Sequence, residues 1–265
     1  MLKYLKFFDY YLEFFSKNLS GRGLMNPSKN GEYAVLESIV KSRKHLQLCF
    51  LDGGSNVGEH IRFFDSSCRR YAIDDYRVFA VEPFPSTIKA LKKNLNGVKY
   101  ELVDKALGKD ESVIHFYSDD VDGVNGQNST INHYYLNNKI EVSQTTIDKL
   151  VEEHSVDRVD FLKLDIEGFE YNALLGAELS LSKGVIDYIQ LEYNQTWIEG
   201  GGTIEKVLKL CDKFGYKLYR IRAKDLLSMP KYHFNLDDFF YSNLLLVRDG
   251  CELPLPSKRK VIPTI

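Results

Sequence analysis

Leu46-Gln47-Leu48-Cys49-Phe50-Leu51-Asp52-Gly53-Gly54-Ser55-Asn56-Val57-Gly58 is an apolar run that breaks into a glycine-rich turn. Residues 46–51 have the length and composition of a buried strand, and Val57 to Phe64 opens a helix behind the turn. A strand handing over to a helix in this way is a unit of a parallel α/β sheet, where ligands bind beyond the carboxyl ends of the strands. Gly54 would let the backbone approach a ligand, and Gly58 would let the helix pack close to the strand. No register of these glycines gives G-x-G-x-x-G, and no Gly-Lys-Ser/Thr follows, so neither a dinucleotide fingerprint nor a P-loop is present. What remains is an acid, Asp52, beside the polar pair Ser55 and Asn56. That set suits a cationic, zwitterionic cofactor better than a pyrophosphate.

Outward from this turn, strand and helix patterns alternate. Val78–Val81 reads as a second strand, Pro85 to about Leu95 as a helix, and Val98–Val103 as a third strand. Val113–Tyr117 and Ile140–Val142 read as inserted strands around a long polar loop, Asp119 to Asn138. The alternation resumes with strand Phe161–Leu164, a helix from about Phe169, strand Val185–Leu191 and helix Ile204–Phe214. Strands Tyr216–Ile221 and Phe240–Val247 close the sheet. At the other end, Leu5, Phe8, Leu12 and Phe15 recur at helical spacing, a stripe that needs cover from the body of the protein or a second copy. The expected organisation is a helical extension over 1–45, the main domain over 46–250 and a tail over 251–265.

The 265 residues carry a formal net charge of -2, which gives no global attraction to polyanions, so a nucleic-acid partner is not expected. Four cysteines without CxxC spacing argue against a zinc knuckle or redox dithiol, and Cys49 reads as a small buried hydrophobe. Lys3, Lys6, Asp9, Glu13 and Lys17 interrupt the opening segment, and no uncharged run reaches the length of a membrane span. The expectation is a cytoplasmic protein without a transmembrane segment.

Two acidic positions carry the chemistry. Val81-Glu82-Pro83 ends the second strand, where a carboxylate can accept from both hydroxyls of a ribose, a role common to NAD and adenosyl cofactors. Val159-Asp160-Phe161-Leu162-Lys163-Leu164-Asp165-Ile166-Glu167-Gly168-Phe169-Glu170 delivers Asp165 to the same sheet edge, with Glu167 and Glu170 at i, i+3. Acids in a first helical turn also simply complement the helix N-terminus, and for Glu170 that reading is the stronger one.

With these stretches in view, the sequence resembles the FkbM family of S-adenosylmethionine-dependent methyltransferases. The resemblance rests on Leu51–Gly58, Val81-Glu82-Pro83-Phe84-Pro85, Asp104-Lys105-Ala106-Leu107-Gly108, Thr146-Ile147-Asp148-Lys149-Leu150 and the run from Phe161 to Ala177, in family order over roughly residues 46 to 195. It implies the Rossmann-like class I methyltransferase fold: a seven-stranded α/β sheet with helices on both faces and its last strand antiparallel. It further implies S-adenosylmethionine with Gly54, Ser55 and Asn56 around the methionine moiety, Glu82 on the ribose, and Asp104 and Ala106 beside the adenine. Asp52 and Asp165 complete the expected cofactor set. The family departs at Gly53, where an apolar residue is more usual. The substrate class it implies is a hydroxyl of a sugar, glycan or other small molecule.

A sugar hydroxyl is a poor acid, so its methylation needs a base or a cation that lowers its pKa. Asp165 is the first candidate base, with Glu192 at the end of the fifth strand beside it and His133 in the polar loop as the alternative. Asp165 and Glu192 could also hold magnesium or manganese. Glu167, Asn128, Ser129, Asn194 and Trp197 are the candidate substrate contacts, Trp197 either as a stacking wall next to the hinge-like Gly200-Gly201-Gly202 or, equally, as a core residue. The acceptor expected is a nucleotide-diphosphate sugar or a surface-glycan precursor. A non-sugar small molecule, NAD-dependent oxidoreduction and a non-catalytic binding protein are the competing readings, and the glycine spacing disfavours NAD.

Overall fold

The computed structural model describes residues 23–118 and 138–259. Strands β1 (Leu48–Gly53), β2 (Tyr76–Val81), β3 (Glu101–Val103), β7 (Val159–Leu164) and β8 (Ile186–Tyr193) run parallel in one sheet. β11 (Ser242–Arg248) inserts antiparallel between β8 and β9 (Tyr216–Ile221). These seven strands, in the order β9-β11-β8-β7-β1-β2-β3, form the Rossmann-like sheet with its last strand reversed that the resemblance implies. Two three-residue strands, β10 (Leu226–Ser228) and β12 (Ser257–Arg259), extend the β9 edge and make nine. They are too short for any alternation to be read in them. The inserted hairpin pairs β5 (Ser112–Ser118) with β6 (Asn138–Thr145), and β4 (Ala106–Leu107) joins it as a separate three-stranded sheet.

β1 is buried along its whole length because helices cover both faces. Leu48 and Phe50 point into a core shared with α2 (Glu32–Ser42) and α3 (Glu59–Arg70), α1 (Pro27–Asn30) being the short turn before α2. Cys49 and Leu51 point the other way, into a core built with α5 (Ile147–Glu153), α6 (Glu170–Leu175) and α9 (Ile204–Phe214). α4 (Pro85–Asn94) follows β2, while α7 (Glu178–Ser182) and α8 (Trp197–Gly200) are short. α9 shows why the sequence was readable here. Ile204, Val207, Leu208 and Cys211 make one buried stripe, Thr203 caps the start by accepting from Lys206 N, and Gly215 ends the helix in a left-handed conformation. α3 begins two residues later than the pattern suggests, because the turn occupies everything up to Gly58.

Alternation along the strands has a consequence at the carboxyl edge. Phe50, Phe161, Tyr188 and Leu245 belong to the α2/α3 core, so Asp52, Lys163, Asp165, Gln190, Glu192 and Asn243 lie on that same face. A face that is apolar in the middle of the sheet becomes polar and buried at its end.

Candidate active site

The glycine turn is built by backbone hydrogen bonds. Gly54 N and Ser55 N both donate to Val81 O at 3.0 Å, tying the turn to the end of β2. Gly54 has φ +77°, and a Cβ there would meet Asp165 O at 1.9 Å, so no other residue fits between β1 and the end of β7. Asn56 takes φ +47° and donates its N–H to Glu82 Oε2 at 3.0 Å, while Phe84 N donates to Glu82 Oε1 at 3.0 Å. Burial pushes the Glu82 carboxyl up to about 7, against those two hydrogen bonds. Among the described residues, Asn56 Oδ1 and Asp52 Oδ1 are buried acceptors with no hydrogen-bond donor. Such groups are uncommon and mark places where a ligand's donor fits.

A cavity opens at the carboxyl edge between this turn and the end of β7. Gly54, Asn56, Glu82, Lys105, Ala106 and Phe169 line one part of it, and Asp165, Glu167 and Glu192 the other. The three carboxylates each offer an oxygen within 4.8 Å of the others. Burial, then the charges of Asp165 and Glu170, pushes Glu167 up to about 8. Burial, then Asp165 and Glu167, raises Glu192 well above the carboxylate range. Asp165 goes the other way. Burial would raise it, but the Lys163 ammonium at 2.8 Å from Oδ2 holds it below its ordinary value. Lys163 is itself buried near the carboxyl end of β7, 4.0 Å from Asp52 Oδ1.

Glu167 sits in the left-handed region at φ +53°, where a side chain other than Gly, Asn or Asp is strained. Glu170 is what holds that turn. Its carboxylate accepts from Ile166 N at 2.8 Å and from Gly168 N at 3.1 Å, so it faces the backbone, as its place in a first helical turn suggests.

The structure thus brings together Gly54, Asn56, Glu82, Ala106, Asp165, Glu167 and Glu192. Ser55 is buried behind the turn, its hydroxyl donating to Asp52 O at 2.7 Å, and Asp52 lies beneath the cavity over Lys163. Asp104 is exposed and outside the lining, whereas its neighbours Lys105 and Ala106 are in it. Asn194 serves Glu192 directly, donating from Nδ2 to Oε2 at 3.0 Å. The expectation for Trp197 needs correction. The side chain is fully buried, donates from Nε1 to Glu192 O at 2.8 Å and packs edge-on to Tyr193. It is a core residue that props β8, not a wall for a ligand. Gly200 packs against Gly168 so closely that a Cβ would come within 1.8 Å of its carbonyl oxygen, which makes it a contact point instead of a hinge. His133, Asn128 and Ser129 lie outside the described residues. Lys163, Glu32 and His60 were missed. Only Lys163 left a trace, a lone cation inside an apolar strand.

A family model described as Methyltransferase FkbM domain matches residues 52–218, more than half of the chain. No curated protein is significantly similar in sequence. Among solved structures, an S-adenosylmethionine-dependent methyltransferase from Agrobacterium tumefaciens is 10% identical over 84% of this chain and 63% of its own, with a TM-score of 0.48. Fibrillarin from Aeropyrum pernix, solved with natively bound S-adenosylmethionine, is 12% identical over 81% of this chain and 76% of its own, with a TM-score of 0.38. A candidate rRNA-methylase from Clostridium thermocellum is 10% identical over 80% of this chain and 94% of its own, with a TM-score of 0.43.

Proposed function

The chain belongs to the FkbM methyltransferase family, and from that premise we propose that it moves the methyl group of S-adenosylmethionine to a hydroxyl of a sugar, free, nucleotide-linked or within a growing glycan. One observation carries the reading: a single cavity runs from Glu82, suited to a ribose, to three acids gathered within 4.8 Å.

In this reading the free lone pairs of Glu82 accept from the ribose hydroxyls, and Ala106 and Phe169 flank the adenine. The ammonium of the methionine moiety finds the donor-less Asn56 Oδ1 beside Asp165. Asp165 stays ionised beside Lys163, which suits it to face a sulfonium and makes it a weak base. The base is therefore Glu192 rather than Asp165, held at the cavity by Asn194. When bound, the cofactor would supply its methyl carbon to the hydroxyl oxygen and be left as a neutral thioether. Glu192 would take the hydroxyl's proton as the oxygen–carbon bond forms and the carbon–sulfur bond breaks. Glu167, strained and lining the cavity, takes a neighbouring hydroxyl of the acceptor. Three carboxylates also suit a hard divalent cation, so Asp165, Glu167 and Glu192 would be its ligands and it would supply Lewis-acid activation of the hydroxyl.

The test is incubation of the protein with methyl-labelled cofactor and a panel of free, amino and nucleotide-diphosphate sugars, with magnesium, with manganese and with a chelator. The expected result is a sugar one methyl group heavier, stable to amide- and ester-cleaving conditions. Cofactor binding with no transfer to any sugar would overturn the assignment, and transfer to RNA or a peptide in parallel arms would replace it.

A further inference from the structure

Beneath the acids lies a second buried polar assembly that the mechanism above does not use. Its centre is Glu32, the first residue of α2, 4% exposed. Gln190 Nε2 donates to Glu32 Oε2 at 2.6 Å, and His60 Nε2 lies 3.1 Å from the same oxygen. Asn243 Nδ2 donates to Oε1 at 2.9 Å, and Asn30 Nδ2 donates to it as well. One carboxylate therefore joins α2, α3, β8 and β11.

Two of its partners frame Glu192. Gln190 precedes Glu192 by two residues on β8, on the same face. Asn243 is the register partner of Glu192 across the β8–β11 ladder, where facing side chains are neighbours. Both amides are almost fully buried, at 1% and 4% exposure, so each must have an acceptor. Glu32 supplies it. Without that carboxylate the Gln190 amide would turn to the next acceptor on its face, which by strand position is Glu192, while Asn243, which also meets the Tyr241 hydroxyl, would lose its stronger, charged acceptor beside the same residue.

We infer that Glu32 is a positioning residue: by occupying the Gln190 and Asn243 amides it keeps them off the Glu192 carboxylate, which stays aimed at the acceptor. The inference rests on the reading of Glu192 as the base, and it makes the start of α2, outside the stretch matched by the family model, part of the active site.

The test has a structural arm that needs no acceptor. Crystal structures of the unaltered protein and of Glu32→Gln, each with S-adenosylhomocysteine, are compared at Glu192. A glutamine places an amide among four donors and cannot satisfy them all. Glu192 should move onto Asn243 or Gln190, or split between conformers, while Glu82 and Asn56 stay in place. An unmoved Glu192 in that variant overturns the inference. If Glu32→Gln does not fold, Glu32→Asp draws the carboxylate back from the two amides and keeps its charge, and the same displacement of Glu192 is required of it.

A kinetic arm uses whichever sugar of the panel above is methylated fastest. Glu32→Gln should lower kcat by about tenfold to a hundredfold, the scale of a displaced catalytic group, with KM for the cofactor unchanged. In a Glu192→Gln background the same substitution should cost almost nothing more. Additive losses, or a parallel loss of cofactor binding, would make Glu32 merely structural. Failure of the whole panel would count against the sugar assignment alone, because the structural arm reads Glu192 directly.

Discussion

Replacing Lys163 with methionine removes the cation at the centre of the site and keeps the length of the side chain. Its ammonium lies 2.8 Å from Asp165 and 4.0 Å from Asp52, and the residue is only 2% exposed. Breaking a buried ion pair costs about 3–5 kcal/mol, since the partner is left charged and uncompensated. Asp165 keeps a third of its side chain exposed, so the lower end applies, about 3 kcal/mol. For a chain of this size that corresponds to a fall in Tm of about 6 °C.

The pH dependence is the sharper test of that substitution. In the unaltered protein Asp165 is depressed, so its stabilisation is complete above the unfolded carboxylate value of about 3.9 and is lost only below it. In Lys163→Met the largest opposition to burial is gone, so Asp165 should rise and Asp52, already above that value, should rise further. They then destabilise at neutral pH, and the penalty disappears as they protonate on acidification. Thermal unfolding of the cofactor-free protein at low salt should therefore show the largest gap between the two proteins near pH 7.5. The gap should close as pH falls toward 4. An equal gap at pH 7.5 and pH 5 would refute the claim that Lys163 acts through the charge of Asp165.

Three further outcomes follow from the same geometry. Glu82→Gln keeps one acceptor oxygen but loses the charge, so affinity for S-adenosylhomocysteine by calorimetry should fall about tenfold to a hundredfold; unchanged affinity would remove Glu82 from the ribose. Trp197→Phe loses the Nε1 bond to Glu192 O and leaves a small void, so it should cost about 2 kcal/mol of stability with little change in KM for the cofactor. Because Glu82 and Glu167 hold their protons up to about 7 and 8, a bound sulfonium should expel protons and S-adenosylmethionine should bind more tightly as pH rises from 6 to 8. S-adenosylhomocysteine, whose sulfur is neutral, should show the smaller slope, and equal slopes would contradict the account.

Much of this was legible in the residues because it is local. β1 and β7 are short apolar runs, the Leu51–Gly58 turn follows one of them, and Asp165, Glu167 and Glu192 sit at the strand ends where a parallel sheet gathers its ligands. What escaped is of three kinds. The edge strands β10 and β12 are three residues each and carry no periodic signal. Trp197 could be read as a stacking wall because amides and glycines surround it in sequence, whereas in space Gly202 closes over it and Tyr193 meets its ring. Glu32 and His60 belong to helices with ordinary amphipathic patterns, and only the packing of α2 and α3 on one face of the sheet turns Glu32 toward Gln190 and Asn243 with His60 against it. Asp165 illustrates the last kind, since its place was read correctly while its character depends on Lys163 two residues away on the same face.

The charge of the site also bears on the proposed role of Glu192 as the base. Burial first, and then the negative charge that Asp165 already holds, raises Glu167 and Glu192 and favours their protonated forms. In that reading a sulfonium entering the cavity would shift the balance toward the ionised form of one of the two carboxyls as the cofactor binds. Methyl transfer then abolishes the positive charge at sulfur and frees the acceptor's proton in the same step. The carboxylate that lost its proton to the cofactor's charge is the group that regains one when that charge disappears. Cofactor charge and acceptor proton are thus exchanged at one place. The product state, with a neutral thioether and a protonated acid, has the charge of the empty site and gives the acids no further hold on the sulfur.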